Sequence, residues 1–112
     1  MRLTEIDFGA GRPVDGYGPG FFRVGGERVE GAMAVTPDGV RGWGGWADRD
    51  FAGIDVLLVG TGPAQVYLPK DFVADLEARG IGVEPMASPV ACRSYNLLLA
   101  EGRRVGLAAL PV

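Results

Sequence analysis

Apolar positions change their spacing near residue 50. Before that point they come in short groups broken by glycine. GFFRVGGERVEGAMAVTP, from Gly20 to Pro37, sets Gly25-Gly26 between two short segments, the spacing of a β-hairpin. Val29, Ala32 and Ala34 carry the extended reading on toward Val35. TPDGV marks a turn at Asp38-Gly39, after which Val40 opens a strand ending near Trp43. GYGPG, Gly16 to Gly20, is a further break. Residues 1–50 therefore read as a glycine-rich, mainly antiparallel β half.

The second half has longer periods. IDVLLVGTG is one continuous apolar run closed by Gly60 and Gly62, as expected of a strand buried on both faces. LPKDFVADLEARG carries helix punctuation: Pro69 in the first turn, Asp71 near the positive end, Gly80 as the stop. Phe72, Val73 and Leu76 fall on one helical face. IGVEPM is a short strand. SPVACRSYNLLLAEG is a second helix, with Ser88 as N-cap, Pro89 first and Gly102 last. RRVGLAALPV is the final strand. Residues 51–112 thus read β-α-β-α-β, with right-handed crossovers. The predicted class is α/β: a single three-layer domain over residues 1–112, a mixed central sheet flanked by helices.

Composition narrows the function classes. The chain has 112 residues, 47% hydrophobic and 22% charged, with net charge −3. It lacks a basic run, which argues against a nucleic-acid surface. No apolar run approaches the ~20 residues needed to cross a bilayer, so no membrane insertion is expected. MRLTEIDFGAGR has acidic residues and no apolar core, so no secretory or transit peptide is read there, and the cytoplasm is the default compartment. There is no histidine and one cysteine. That removes a Ser-His-Asp triad, a Cys-His pair, a His-ligated zinc site and an internal disulfide.

The candidate chemistry sits at two places. Gly60-Thr61-Gly62 follows the buried strand where a dinucleotide loop would sit, and Glu84 stands about 20 positions on, at the next strand. Against that, Gln65 replaces the third glycine, Pro63 removes a backbone donor, and the helix starts too late to receive a pyrophosphate. No cofactor is expected. The second place is MASPVACRSYN. Cys92 lies near a helix start that favours a thiolate, with Arg93 adjacent, yet Val90 and Ala91 beside it suggest burial. Asn96 competes with backbone bonds in mid-helix, which implies a specific hydrogen-bonding task. The candidate binding residues are Gly60, Thr61, Gly62, Glu84, Ser88, Cys92, Arg93 and Asn96; no catalytic residue and no metal ligand is assigned. Trp43 reads as a core cap, and Tyr17, Phe21 and Phe22 as core or hairpin packing. Glu5/Asp7 and Asp48/Asp50 read as solvated faces.

These segments also carry a resemblance. YGPGFFRVGGERVEGAMAVTPDGVRGW, then VLLVGTG, then ACRSYNLLLAEGRRVGLAAL resemble the uncharacterised MTH-type α/β domain family. That family includes the mitochondrial complex I assembly factor and the adipogenesis-associated domain-containing protein. The resemblance runs from Ile6 to the C-terminus. Its most specific parts are Gly60-Thr61-Gly62, Ala91-Cys92-Arg93 and Tyr95-Asn96, closed by Glu101, Gly102 and Arg103. Ser94 keeps the hydroxyl where members often have threonine, and Ser88-Pro89 replaces a threonine before the helix. The resemblance implies a mixed sheet flanked by helices with an extra β layer. It does not imply an enzyme.

Three function classes follow. A non-enzymatic protein-binding or assembly module fits the missing histidine and the lack of paired carboxylates; family analogy would make its partner a membrane complex under assembly. A small-molecule or anion site at the strand ends would use Gly60–Gly62 and the Ser88 helix start. An enzyme with a cysteine nucleophile ranks last.

Overall fold

The continuous run that reads as a buried strand is β6, Val56–Thr61, and it lies inside a five-stranded sheet. The structure is a computed structural model and describes residues 11–112. Ile6, the Glu5/Asp7 pair and all but Gly11 and Arg12 of the N-terminal stretch read for a leader lie outside the described residues. In chain order the strands are β1 (Val14–Gly18), β2 (Phe21–Val24), β3 (Glu27–Glu30), β4 (Met33–Thr36), β5 (Gly39–Gly42), β6, β7 (Gly82–Met86) and β8 (Val105–Leu110). The helices are α1 (Lys70–Ala78) and α2 (Ser88–Ala100), with a short 3-10 turn at Gly45–Ala47.

The strands form two sheets. One is a three-stranded antiparallel meander, β1-β2-β3; the other is mixed, in the order β5-β4-β8-β6-β7. β6 runs parallel to both β7 and β8, and β4 is antiparallel to β8 and β5. β7 and β8 flank β6 on opposite sides. Two crossovers of the same hand must then place their helices on opposite faces of the sheet. They do so. Alternate residues of the central strands point to alternate faces. Leu57, Val59, Ala34 and Ala108 pack with Phe72 and Leu76 of α1 and with Trp43, Phe51 and Ile54. Leu58, Met33, Val35, Leu107 and Ala109 pack with Ala91, Cys92, Tyr95 and Leu99 of α2 and with Val14, Phe22 and Val24 of the small sheet. The mixed α/β class read from the sequence is the observed one.

The antiparallel N-terminal half is divided between the two sheets. Gly25 and Gly26 both have positive φ, +55° and +84°, so only glycine closes the β2–β3 hairpin without strain. Gly31 then ends β3, and β4 leaves to join the other sheet beside β8. Gly16–Gly18, read as a break, belongs to β1. Tyr17 is 42% exposed rather than core, and the Arg28 guanidinium lies 3.9 Å over the half-buried Phe21 ring. Asp48 is not on a solvated face: its carboxylate accepts both terminal nitrogens of Arg41 and the Gly44 N–H. Trp43 is buried, and its indole N–H donates to the Asp48 carbonyl at 3.0 Å.

Candidate functional site

In an open α/β sheet, ligands bind outside the carboxyl ends of neighbouring strands whose connections leave to opposite faces. Here those strands are β6, which leads to α1, and β7, which leads to α2. Their ends bring together four of the residues singled out in the sequence: Gly60, Thr61, Gly62 and Ser88.

The crevice between them is stitched shut. Ser88 is 1% exposed. Its hydroxyl donates to the Leu110 carbonyl at 2.6 Å and accepts the Gly62 N–H at 2.8 Å; its own N–H donates to the Gly62 carbonyl at 2.8 Å. One serine thereby ties the ends of β6 and β8 to the start of α2. Ser88 is therefore not the N-cap read from the sequence. Ala87 occupies that position and Ser88 is the first helical residue, because its hydroxyl is taken by distant backbone groups rather than by its own helix. The Thr61 hydroxyl donates to the Ala64 carbonyl at 2.6 Å, lies 3.1 Å from the Met86 carbonyl and accepts the Val66 N–H at 3.2 Å.

Gly60 explains how close the layers come. A Cβ at that position would lie 2.6 Å from the Ser88 hydroxyl, 3.0 Å from the Ser88 Cα and 3.1 Å from the Ala109 Cβ. The glycine is there so that α2 can approach the strand. Gly62 has φ +92°, which turns the chain out of β6 at once. An anion at the start of α2 would find little to bind. The Ser88 N–H is spent on Gly62, Pro89 has none, and at most the Val90 N–H remains among the first three.

The other candidates lie apart. Cys92, one turn into α2, is 3% exposed in the core beneath the small sheet. Burial pushes its thiol up to about 11, with Arg93 opposing weakly, so at neutral pH it is protonated. Arg93 and Glu84 are exposed. Asn96 is one turn beyond Cys92 and holds Val14: Oδ1 accepts the Val14 N–H at 2.8 Å, and Nδ2 donates to the Val14 carbonyl at 2.9 Å. Its neighbour Tyr95, absent from the candidate set, donates from its hydroxyl to the Arg12 carbonyl at 2.8 Å. The ACRSYN motif thus divides by helix face. Ala91 and Cys92 let α2 lie close to the sheet, Tyr95 and Asn96 clamp the start of β1, and Arg93 faces solvent. Among the described residues, every buried side-chain nitrogen and oxygen has a partner, and no cluster of three metal-ligating side chains occurs.

Two further features have little local signature. The Arg41–Asp48 pair spans a turn whose spacing alone does not reveal contact. The segment from Pro63 to Pro69 carries Val66 and Tyr67 on the surface; its one signal is an uncharged stretch between two prolines.

These observations define a class: a small mixed α/β module whose strand-end crevice is filled by its own backbone and hydroxyls. The chain belongs to the family described as "Protein of unknown function (DUF498/DUF598)", whose model matches residues 14–110. It is 44% identical over 117 residues to an uncharacterized protein of Rhodobacter capsulatus, covering 100% of this chain and 94% of that one. It is 31% identical over 123 residues to NADH dehydrogenase (ubiquinone) 1 alpha subcomplex assembly factor 3 of Danio rerio, covering 99% of this chain and 71% of that one. A crystal structure of a Bordetella parapertussis protein superposes with TM-score 0.80 at 39% identity, covering 93% of this chain and 98% of that one. A solution structure of a Bordetella pertussis protein described as an Mth938-like domain gives TM-score 0.76 at 35% identity, covering 99% and 92%. The family resemblance carried by the sequence motifs is therefore correct.

Proposed function

We propose that residues 1–112 form one non-enzymatic, protein-binding domain that serves as an assembly factor for a membrane-bound NADH dehydrogenase, acting from the cytoplasm. The observation that carries this reading is the likeness to an assembly factor over 99% of this chain. The geometry is consistent with it. Ser88 and Thr61, the hydroxyls at the strand ends, serve the fold itself, and the thiol of Cys92 is buried and protonated. Among the described residues no helix is long and apolar enough to cross a membrane. The module would then reach the membrane complex by contact with a subunit.

The test is genetic and biochemical. A strain lacking this chain should show loss of fully assembled NADH dehydrogenase on native gels, with accumulation of a smaller intermediate, and restoration by the wild-type chain. Full assembly in the null strain would overturn the proposal.

A further inference from the structure

Between β6 and α1 the chain crosses Pro63 to Pro69, and Pro63 to Tyr67 are all exposed. Tyr67 is 101% exposed and Val66 52%, although such side chains ordinarily shed water on folding. The loop is braced. At one end the Thr61 hydroxyl holds both the Ala64 carbonyl and the Val66 N–H. At the other, Leu68 packs against the cluster that includes Phe72 and Leu76. Prolines fix the backbone at both ends. A loop backbone ordered in advance loses little entropy on binding, and tyrosine is among the residue types that dominate protein interfaces.

We infer that Val66 and Tyr67 form the anchor by which this chain docks into an apolar pocket of a protein partner. The inference rests on the protein-binding reading above and names its surface. Charge selects a protein over a lipid bilayer. From Gly62 to Pro69 there is no charged residue, and the first cation beyond, Lys70, is followed by Asp71. A loop that docks on a bilayer draws on several Lys or Arg for anionic head groups; this one offers no such cluster.

The test uses the full chain in its native cells, with the photoreactive amino acid p-benzoylphenylalanine at position 67 and, as control, at position 27 on β3 of the small sheet. The expected result is a discrete protein adduct from position 67 alone, mapped by mass spectrometry to an apolar pocket. Tyr67→Ser should lower co-purification of that protein about ten-fold with the thermal unfolding curve unchanged. Adducts to lipid only, to a second copy of the chain only, equal adducts from position 27, or none would overturn it. So would Tyr67-dependent flotation of the purified chain with vesicles of phosphatidylethanolamine and phosphatidylglycerol. The two readings fail separately. An assembly defect in the null strain with no adduct at position 67 removes the docking loop alone. A pocket adduct in a cell whose NADH dehydrogenase assembles without this chain removes the assembly role alone.

Discussion

The carboxamide of Asn96 bonds to both backbone polar groups of Val14, 82 positions away, at 2.8 and 2.9 Å. It pairs with the β1 edge at Val14 as a residue of a neighbouring strand would. Removing the amide leaves a part-buried N–H and C=O without partners. Asn96→Ala should therefore cost about 2 kcal/mol, read from urea denaturation. Asn96→Asp has nearly the same shape, but an ionised carboxylate accepts the N–H and has nothing to donate to the carbonyl. It should also destabilise at neutral pH. An alanine variant as stable as the wild type would remove this role.

Gly60 and Ser88 form a second coupled pair. Gly60→Ala puts a methyl 3.0 Å from the Ser88 Cα, which is backbone and cannot swing aside. The expected loss is at least about 2 kcal/mol. Ser88→Ala strands the Gly62 N–H and the Leu110 carbonyl and should cost about 2–3 kcal/mol. The double variant should cost less than the sum, because deleting the hydroxyl also removes the 2.6 Å contact that the new methyl would make. Additivity in a double-mutant cycle would show that helix and strand are not in contact there as described.

These pairs mark where sequence reasoning stops. β6 and both helices were legible, because a continuous apolar run and Pro/Gly punctuation are local signals. The parting of β3 from β4 at Gly31 was not. Choosing β8 as the partner of β4 is settled by packing some seventy residues away, at Val35 against Leu107. Ser88 misled for the same reason: local capping chemistry was outcompeted by the ends of β6 and β8. Of the candidate site, the residues that meet at the strand ends could be named in advance. Their saturation by one another could not, since it depends on how closely Gly60 lets α2 approach.

Alkaline pH tests the buried half of the motif. Burial raises the Cys92 thiol from 9.0 to about 11 and the Tyr95 phenol from 10.0 to about 12. Below pH 9 both groups are protonated in the folded and unfolded states, and their contribution to stability is fully present. As pH rises the unfolded chain ionises first, so stability falls through the folded values, between about pH 9 and 12. The urea midpoint should decline over that window. Cys92→Ala should flatten its lower part and Tyr95→Phe its upper part. Native Cys92 should also react slowly with Ellman's reagent near pH 8 and quickly once the chain is unfolded. A fast native reaction would place the thiol at the surface.

At the acid end the test is Asp48, the least exposed of three aspartates that an arginine holds low. Its side chain is 18% exposed and accepts Arg41 through two nitrogens, as well as the Gly44 and Asp50 N–H groups. The hydrogen bond from Arg41 is the largest influence and holds the carboxyl below its ordinary 3.8, against the opposing effect of burial. A depressed folded value means stabilisation that is present above pH 3.8 and is lost as pH falls through the folded value. Asp48→Asn should lower stability at neutral pH by about 1–2 kcal/mol and make the decline below pH 4 shallower. The backbone of Asp48 also accepts the Trp43 indole N–H, and Trp43 stands edge-on to Trp46 at 5.2 Å, so the same substitution should change tryptophan emission. Arg41→Gln should reproduce most of the stability loss. Combined with Asp48→Asn it should add little further, because each single change already breaks the same ion pair across this turn.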